Sequence, residues 1–172
     1  MTLIIIYFDS YTVCLGNICR SPIAEGVFQN LVVENGFEKV IFCDSAGTAA
    51  YHVGSLPDKR MMKVALDRGI TLTHTARQLN YDDFNKYDYI LAMDEANYDS
   101  IRQLSIISMG PNCPVDRLYL YRLFDPERGT SVNVPDPYYS NDSAFIEVFN
   151  IVTRSGQQFL KYIIEKHDLS AS

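Results

Sequence analysis

The sequence predicts an α/β fold: a single doubly wound domain over residues 1–172, with helices on both faces of a central, mostly parallel four-stranded sheet. Three observations predict it. Short apolar runs alternate with stretches of helical periodicity, as strands joined by crossover helices do. Tyr87 to Met93 (YDYILAM) is nearly continuous in apolar residues, as a strand covered on both faces must be. Ser21-Pro22 opens a helix soon after the first apolar run, which places a tight loop between strand and helix.

Each element follows in order. Leu3 to Phe8 begins the first strand, which extends towards Val13. Ser21 is available as N-cap and Pro22 suits the first turn of the helix behind it. Ile23, Val27 and Leu31 recur every four residues and give that helix an apolar stripe, and Asn35-Gly36 ends it. Val40 to Cys43 forms a second strand. Asp58 to Arg68 is helical, with Met61, Met62, Ala65 and Leu66 inward and Gly69 as its stop. Tyr87 to Met93 is the third strand, and Asp94 caps a helix from Glu95 to about Leu104. Leu118 to Leu120 supplies the fourth strand. Pro126, Gly129, Pro135 and Pro137 make Asp125 to Pro137 an irregular loop. Asn141 or Asp142 starts a long closing helix with the stripe Phe145, Val148, Phe149, Val152, Phe159, Ile163. One segment resists the pattern. Asp9-Ser10-Tyr11-Thr12 interrupts the first strand, and a charged Asp9 in a central strand is costly unless paired. The strand is therefore either shifted or unusual.

Composition narrows the function. Apolar residues make up 47% and charged residues 21%, a soluble globular balance that excludes disordered, fibrous and membrane-spanning chains. The longest apolar run is far short of the ~20 residues a membrane helix needs, and no signal peptide is expected. The net charge is −6 with no cluster of Lys or Arg, which argues against nucleic acid as partner. Cys14, Cys19, Cys43 and Cys113 read as free thiols in a reducing, cytoplasmic compartment. His52, His74 and His167 show no zinc-ligand spacing with them, so neither metal nor cofactor is expected.

Chemistry concentrates in Val13 to Glu25, VCLGNICRSPIAE. Strand, tight loop and helix N-terminus succeed one another, and such a loop (Leu15, Gly16, Asn17, Ile18, Cys19, Arg20, Ser21) turns backbone N–H groups inward around an anion. The helix dipole adds about half a positive charge there. Arg20 adds a planar fork that matches two phosphoryl oxygens. A local positive field thus exists within an acidic chain. A thiol in it ionises easily, and a Cys14 thiolate facing a bound phosphoryl group can attack phosphorus without help from a metal. Asn17 tolerates the left-handed backbone that a tight nest needs.

These residues carry a resemblance. The segment resembles the signature V-C-x-G-N-x-C-R-S-P of the low-molecular-weight protein tyrosine phosphatases. The likeness continues through DSAGT at Asp44 to Thr48, HTAR at His74 to Arg77, YDYILAMD at Tyr87 to Asp94 and DPYY at Asp136 to Tyr139. The resemblance implies hydrolysis of phosphotyrosine in proteins or peptides, and of small aryl phosphates. Inorganic phosphate is then product and inhibitor. It also implies that Cys14 is the nucleophile, Arg20 the phosphate ligand and Asp136 the general acid and base. Ser21 would bond the thiolate. Ser45 and His74 would brace Asn17, and Cys19 would form a reversible disulfide with Cys14. Ile18, Tyr51, Tyr138 and Tyr139 would wall the substrate cleft, the tyrosine pair also being sites of regulatory phosphorylation. The second Asp-Pro pair, Asp125-Pro126, reads as a turn. Cys43 and Cys113 read as core or incidental.

Three alternatives share the loop. Thioredoxin-coupled arsenate reductases resemble it but need two further downstream cysteines, and only Cys113 stands there. Protein-arginine phosphatases resemble it with Thr in place of Ile18 and without the tyrosine pair. A non-catalytic phosphotyrosine-binding module needs neither Cys14 nor Asp136.

Overall fold

The computed structural model describes residues 7–112 and 115–170. Four strands form one sheet: β1 (Phe8–Cys14), β2 (Ile41–Gly47), β3 (Tyr89–Ala92) and β4 (Leu118–Leu120). They lie in the order β2-β1-β3-β4, and every pairing is parallel. The helices are α1 (Arg20–Glu34), α2 (Lys59–Leu66), α3 (Asp83–Lys86), α4 (Glu95–Met109) and α5 (Asp142–His167). Helices α1 and α5 pack on each other, with α1 against β1 and β2, while α4 packs against β3 and β4.

Alternation along the strands splits the interior into two cores. Phe8 and Cys14 of β1, and Tyr89 and Leu91 of β3, join Ile23, Val27, Phe145, Val152 and Phe159 on one side. Tyr11 and Val13, with Ile90 and Ala92, join Ile101 and Leu118 on the other. Apolar side chains on both faces of β1 and β3 bury these central strands everywhere but at Asp9, as parallel sheets require.

The first strand differs from the expectation. Residues 3–6 of the apolar run lie outside the described residues, and the strand begins at Phe8 and contains Asp9 to Thr12. Its polar residues are satisfied across elements. Ser10 Oγ donates to the Phe42 carbonyl (3.2 Å), Thr12 Oγ1 to the Ser21 carbonyl (3.0 Å) and Tyr11 Oη to Asp83 Oδ2 (3.0 Å). Asp9 stands at the strand's N-terminal end, half-buried. Burial raises its pKa, opposed by the charge of Lys86.

Other boundaries shift for similar reasons. Helix α1 starts at Arg20 with Cys19 in the cap position, so Ser21 lies inside the helix and is not its N-cap. Strand β2 runs on through Asp44 and Ser45 to Gly47. Helix α2 has Asp58 as its cap, its carboxylate accepting from Arg60 N (2.8 Å). The inner face of α2 is Met61, Val64 and Ala65, whereas Met62 is half-buried and Leu66 is 66% exposed. Helix α4 is capped by Asp94 as expected but continues to Met109. Asn141 is the cap position of α5, whose expected stripe is buried. Cys113 lies outside the described residues.

Candidate active site

Strand β1 ends at Cys14, and the chain turns at once into α1. Asn17 makes this turn with φ +56°, the left-handed region that Asn enters more readily than most residues. Strand β2 supports the turn from beside it. Thr48 N donates to the Cys14 carbonyl (2.8 Å) and Ala49 N to the Leu15 carbonyl (2.9 Å). Gly47 permits this approach, since a Cβ there would sit 2.7 Å from the Leu15 carbonyl oxygen.

Cys14 is buried, and its Sγ accepts from the Asn17 backbone N–H (3.2 Å) and lies 3.1 Å from Ser21 Oγ. Ser21 Oγ accepts from Asn17 Nδ2 (2.8 Å), so its own proton has two acceptors, the sulfur and the Ala46 carbonyl (3.2 Å).

Asn17 is the hub behind the loop. Nδ2 donates to Ser21 Oγ and to Ser45 Oγ (2.9 Å), while Oδ1 accepts from Arg77 N (2.9 Å) and lies 2.7 Å from His74 Nε2. All four hydrogen-bonding positions of the amide are used. Ser45 Oγ donates onward to Glu25 Oε2 (2.6 Å), and His74 Nδ1 lies 3.0 Å from the same oxygen. Asn17, Ser45, Glu25 and His74 therefore close a ring. Ser21, Ser45 and His74 stand where the sequence placed them, and Glu25 is a member it missed. Glu25, Asp44 and His74 offer oxygen and nitrogen atoms within 4.8 Å of one another, but those atoms already serve this ring and the Asp44–Arg77 pair (2.8 Å).

Arg20 is 4% exposed and faces the mouth of the loop. Nη1 donates to the Asp94 carboxylate and the Val134 carbonyl (3.3 Å), and Nη2 to Asp136 Oδ2 (2.8 Å). Burial works against the guanidinium charge, but Cys14, Asp136 and Asp94 more than offset it and raise its pKa. Asp94 thus does two jobs, since its Oδ1 also accepts from Asn97 N (2.7 Å) to cap α4. The sequence assigned it only the cap. Asp136 Oδ1 accepts from Tyr138 N (3.1 Å).

A single cleft opens over the loop. Cys14, Leu15, Gly16, Ile18, Cys19 and Arg20 form its floor, and Tyr51, His52, Asp136, Tyr138 and Tyr139 its walls. The nucleophile, guanidinium and carboxyl named from the sequence meet here, with the four cleft residues around them. Tyr51 is 80% exposed and Tyr139 97%, so they form the rim, and Tyr139 packs edge-on against Tyr138 with centroids 4.9 Å apart. His52, which the sequence did not place here, lies between Gly16 and Tyr138, its Cδ2 3.0 Å from the position of a Cβ on Gly16. Cys19 is buried, and its thiol pKa is raised by burial and the nearby Asp58 charge. Cys14, Cys19 and Cys43 are free thiols.

Comparison with known proteins agrees with this geometry. A family model described as low molecular weight phosphotyrosine protein phosphatase matches residues 10–169. A curated relative of that description from Gallus gallus is 40% identical over 149 residues, 87% of this chain and 91% of its own. The protein tyrosine phosphatase of Entamoeba histolytica superposes with a TM-score of 0.84 at 33% identity, covering 94% of this chain and 99% of its own. A Drosophila arginine phosphatase superposes with a TM-score of 0.83 at 28% identity, covering 90% and 96%.

Proposed function

The chain belongs to the low-molecular-weight phosphotyrosine protein phosphatase family, and we propose that it hydrolyses phosphotyrosine in proteins and peptides through a phosphocysteine on Cys14. The observation that carries the reading is the convergence of Cys14, Arg20 and Asp136 on one aromatic-walled cleft.

The residues divide the chemistry as follows. Phosphate oxygens take the Arg20 guanidinium and the inward N–H groups of residues 15–20, which hold the developing charge. Sγ of Cys14 attacks phosphorus in line; the S–P bond forms as the bond to the tyrosine oxygen breaks. The Asp136 carboxyl gives its proton to that oxygen. Water then attacks phosphorus, Asp136 takes its proton, and the S–P bond breaks to release inorganic phosphate. Phosphate fits the same loop and is expected to inhibit. Ser21 steadies the sulfur between the two steps, and the Asn17–Ser45–Glu25–His74 ring holds the loop in shape.

The cleft accounts for substrate choice. Ile18 gives the floor an apolar contact for a phenyl ring, and Tyr51, Tyr138 and Tyr139 give a rim deep enough to favour tyrosine over phosphoserine. Small aryl phosphates fit as well. We read Cys19 as the thiol that forms a reversible disulfide with Cys14 under oxidation, and the whole chain as one catalytic domain in the cytoplasm. Among the described residues no helix is long and apolar enough to cross a membrane.

The test is phosphate release, with chelator present, from phosphotyrosine, phosphoserine and phosphoarginine peptides, by wild type and Cys14→Ser. Release from phosphotyrosine alone, abolished in Cys14→Ser, is expected. Normal turnover by Cys14→Ser would overturn the mechanism. Release from phosphoarginine alone would overturn the substrate, and tight phosphopeptide binding without release would make the chain a binding module.

A further inference from the structure

The first turn of α2 touches both loops of the site. Asp58 N donates to the carbonyl of Ile18, in the phosphate loop (2.8 Å). The Asp58 carboxylate grips Arg60: Oδ1 accepts from Nε (3.1 Å) and Oδ2 from Nη2 (2.8 Å). Arg60 then reaches across to the segment that bears Asp136. Nη2 donates to the Tyr138 carbonyl (3.0 Å) and Nη1 to the Ser140 carbonyl (3.4 Å). The guanidinium lies 4.3 Å from the centroid of the Phe145 ring, at the start of α5, and 5.9 Å from that of Tyr138. Tyr138 N in turn donates to Asp136 Oδ1 (3.1 Å).

A line of contacts thus runs from Ile18 through Asp58, Arg60 and Tyr138 to Asp136. Its far side is fixed differently, by Val134 N donating to the Met93 carbonyl (2.8 Å) at the end of β3. The Asp136 segment is therefore tied to the sheet before the carboxylate and to α2 after it. Arg60 is suited to this, because one planar group meets a carboxylate and two carbonyls while its face rests on an aromatic ring. A lysine ammonium has the charge without the planar array of donors.

We infer that Arg60, gripped by Asp58, is a positioning residue for leaving-group protonation: it fixes the Asp136 carboxyl at the right distance from the phosphate loop. The inference rests on reading Asp136 as the acid. A carboxyl misplaced by about 1 Å can cost on the order of a hundredfold in rate, so partial loosening is expected to cost about tenfold.

The experiment measures kcat/KM on phenyl phosphate and on 4-nitrophenyl phosphate, and inhibition by inorganic phosphate. Wild type, Arg60→Met, Arg60→Lys, Asp136→Ala and the Arg60→Met/Asp136→Ala double variant are compared. Phenolate leaves poorly and needs the proton, whereas nitrophenolate hardly does. Arg60→Met is expected to lose about tenfold on phenyl phosphate and under about threefold on the nitrophenyl ester, with phosphate inhibition within about twofold of wild type. Arg60→Lys recovers part of the loss, and the double variant is no worse than Asp136→Ala. Equal losses on both substrates, or losses that multiply in the double variant, overturn the inference and leave the acid reading intact. If Asp136→Ala itself loses equally on both substrates, the acid reading fails and this inference with it. A misfolded Arg60→Met would lose phosphate inhibition as well. Arg60→Lys then decides, by whether its loss is confined to phenyl phosphate.

Discussion

Asp136 and Arg20 form an ion pair across the mouth of the cleft, with Oδ2 2.8 Å from Nη2. The proposed acid thus takes one N–H of Nη2, and its negative charge lies beside the guanidinium face to which a phosphate would be drawn, so carboxylate and phosphate oppose each other there. Removing the charge at Asp136 is therefore expected to have two opposite effects. Asp136→Asn should lose about 10²–10⁴ in kcat/KM on phosphotyrosine, and least on 4-nitrophenyl phosphate. The same variant should bind inorganic phosphate more tightly. The carboxylate is 47% exposed although the guanidinium is buried, so the pair is worth at least the roughly 1 kcal/mol at the top of the range for exposed pairs, and the inhibition constant should fall by about 5-fold or more. Competitive inhibition at fixed pH measures it, and an inhibition constant that rises would show that Asp136 does not compete with phosphate.

Arg20→Lys keeps the positive charge and tests the geometry. The guanidinium serves Asp94, Val134 and Asp136 at once and still has to receive phosphate oxygens. An ammonium on a shorter reach cannot serve them in one plane. The variant is expected to fall by more than about 10² in kcat/KM, since one aligned donor at a developing charge is worth roughly that much. Phosphate inhibition should weaken with it. Activity within about tenfold of wild type would mean that charge alone suffices at this position.

Asn17 sets two separable demands, a left-handed backbone and four hydrogen bonds. Asn17→Ala violates both, and Asn17→Gly only the second. Alanine in this region costs about 1–2 kcal/mol of backbone strain, and each buried group left unpaired about 1–3 kcal/mol. Both variants should be less stable to urea, Asn17→Ala more so, and both should bind phosphate weakly because the loop loses its support. Full phosphate affinity in Asn17→Gly would show that the ring behind the loop is dispensable.

What the sequence disclosed and what it withheld divide along physical lines. The loop was legible because Cys14, Gly16, Asn17, Arg20 and Ser21 are contiguous, so strand, turn and helix N-terminus fix their relative placement locally. Asp136 was legible through the resemblance of its Asp-Pro-Tyr-Tyr setting. Glu25, Asp94, Asp58 and Arg60 were not, because the partners that tie them to the site are distant in sequence: 20 residues separate Glu25 from Ser45, 74 separate Arg20 from Asp94 and 78 separate Arg60 from Tyr138. The polar residues within β1 and β2 misled for the same reason. Ser10 and Thr12 read as an interruption of the first strand, and the apolarity of the second ended at Cys43, short of Asp44 and Ser45, yet each of these four is satisfied by a residue outside its own strand. Asp94 did leave a signal, a carboxylate at the C-terminal end of a central strand, where α/β folds gather their ligand contacts.

Asp125 read as a turn residue, and it is one, since its Oδ1 accepts from Glu127 N (3.0 Å). It is also a buried anchor for the long loop that leads to Asp136. Arg154 of α5 holds its carboxylate with two bonds, Nε to Oδ1 (2.8 Å) and Nη2 to Oδ2 (2.9 Å), and the Asp125 side chain has no exposure. Burial pushes the carboxyl pKa up, but the bonds from Arg154 and Glu127 N outweigh it, and the pKa lies below the ordinary value. A carboxyl with a lowered folded pKa contributes stability above its unfolded value, about 3.9, and loses it as the pH falls through the folded one. Arg154→Met leaves that buried charge with only Arg122 nearby, its Nε 3.8 Å from Oδ2, which should cost up to about 3 kcal/mol at pH 7. Without the bonds from Arg154 burial raises the Asp125 pKa, so as the pH falls the carboxyl is protonated first in the variant and in wild type only below about 4, and the gap between them should narrow over that interval. Urea unfolding of both proteins from pH 7 down to pH 3 measures it. A gap that stays constant over that range would place the contribution of Arg154 in packing of its side chain against the loop rather than in the ion pair.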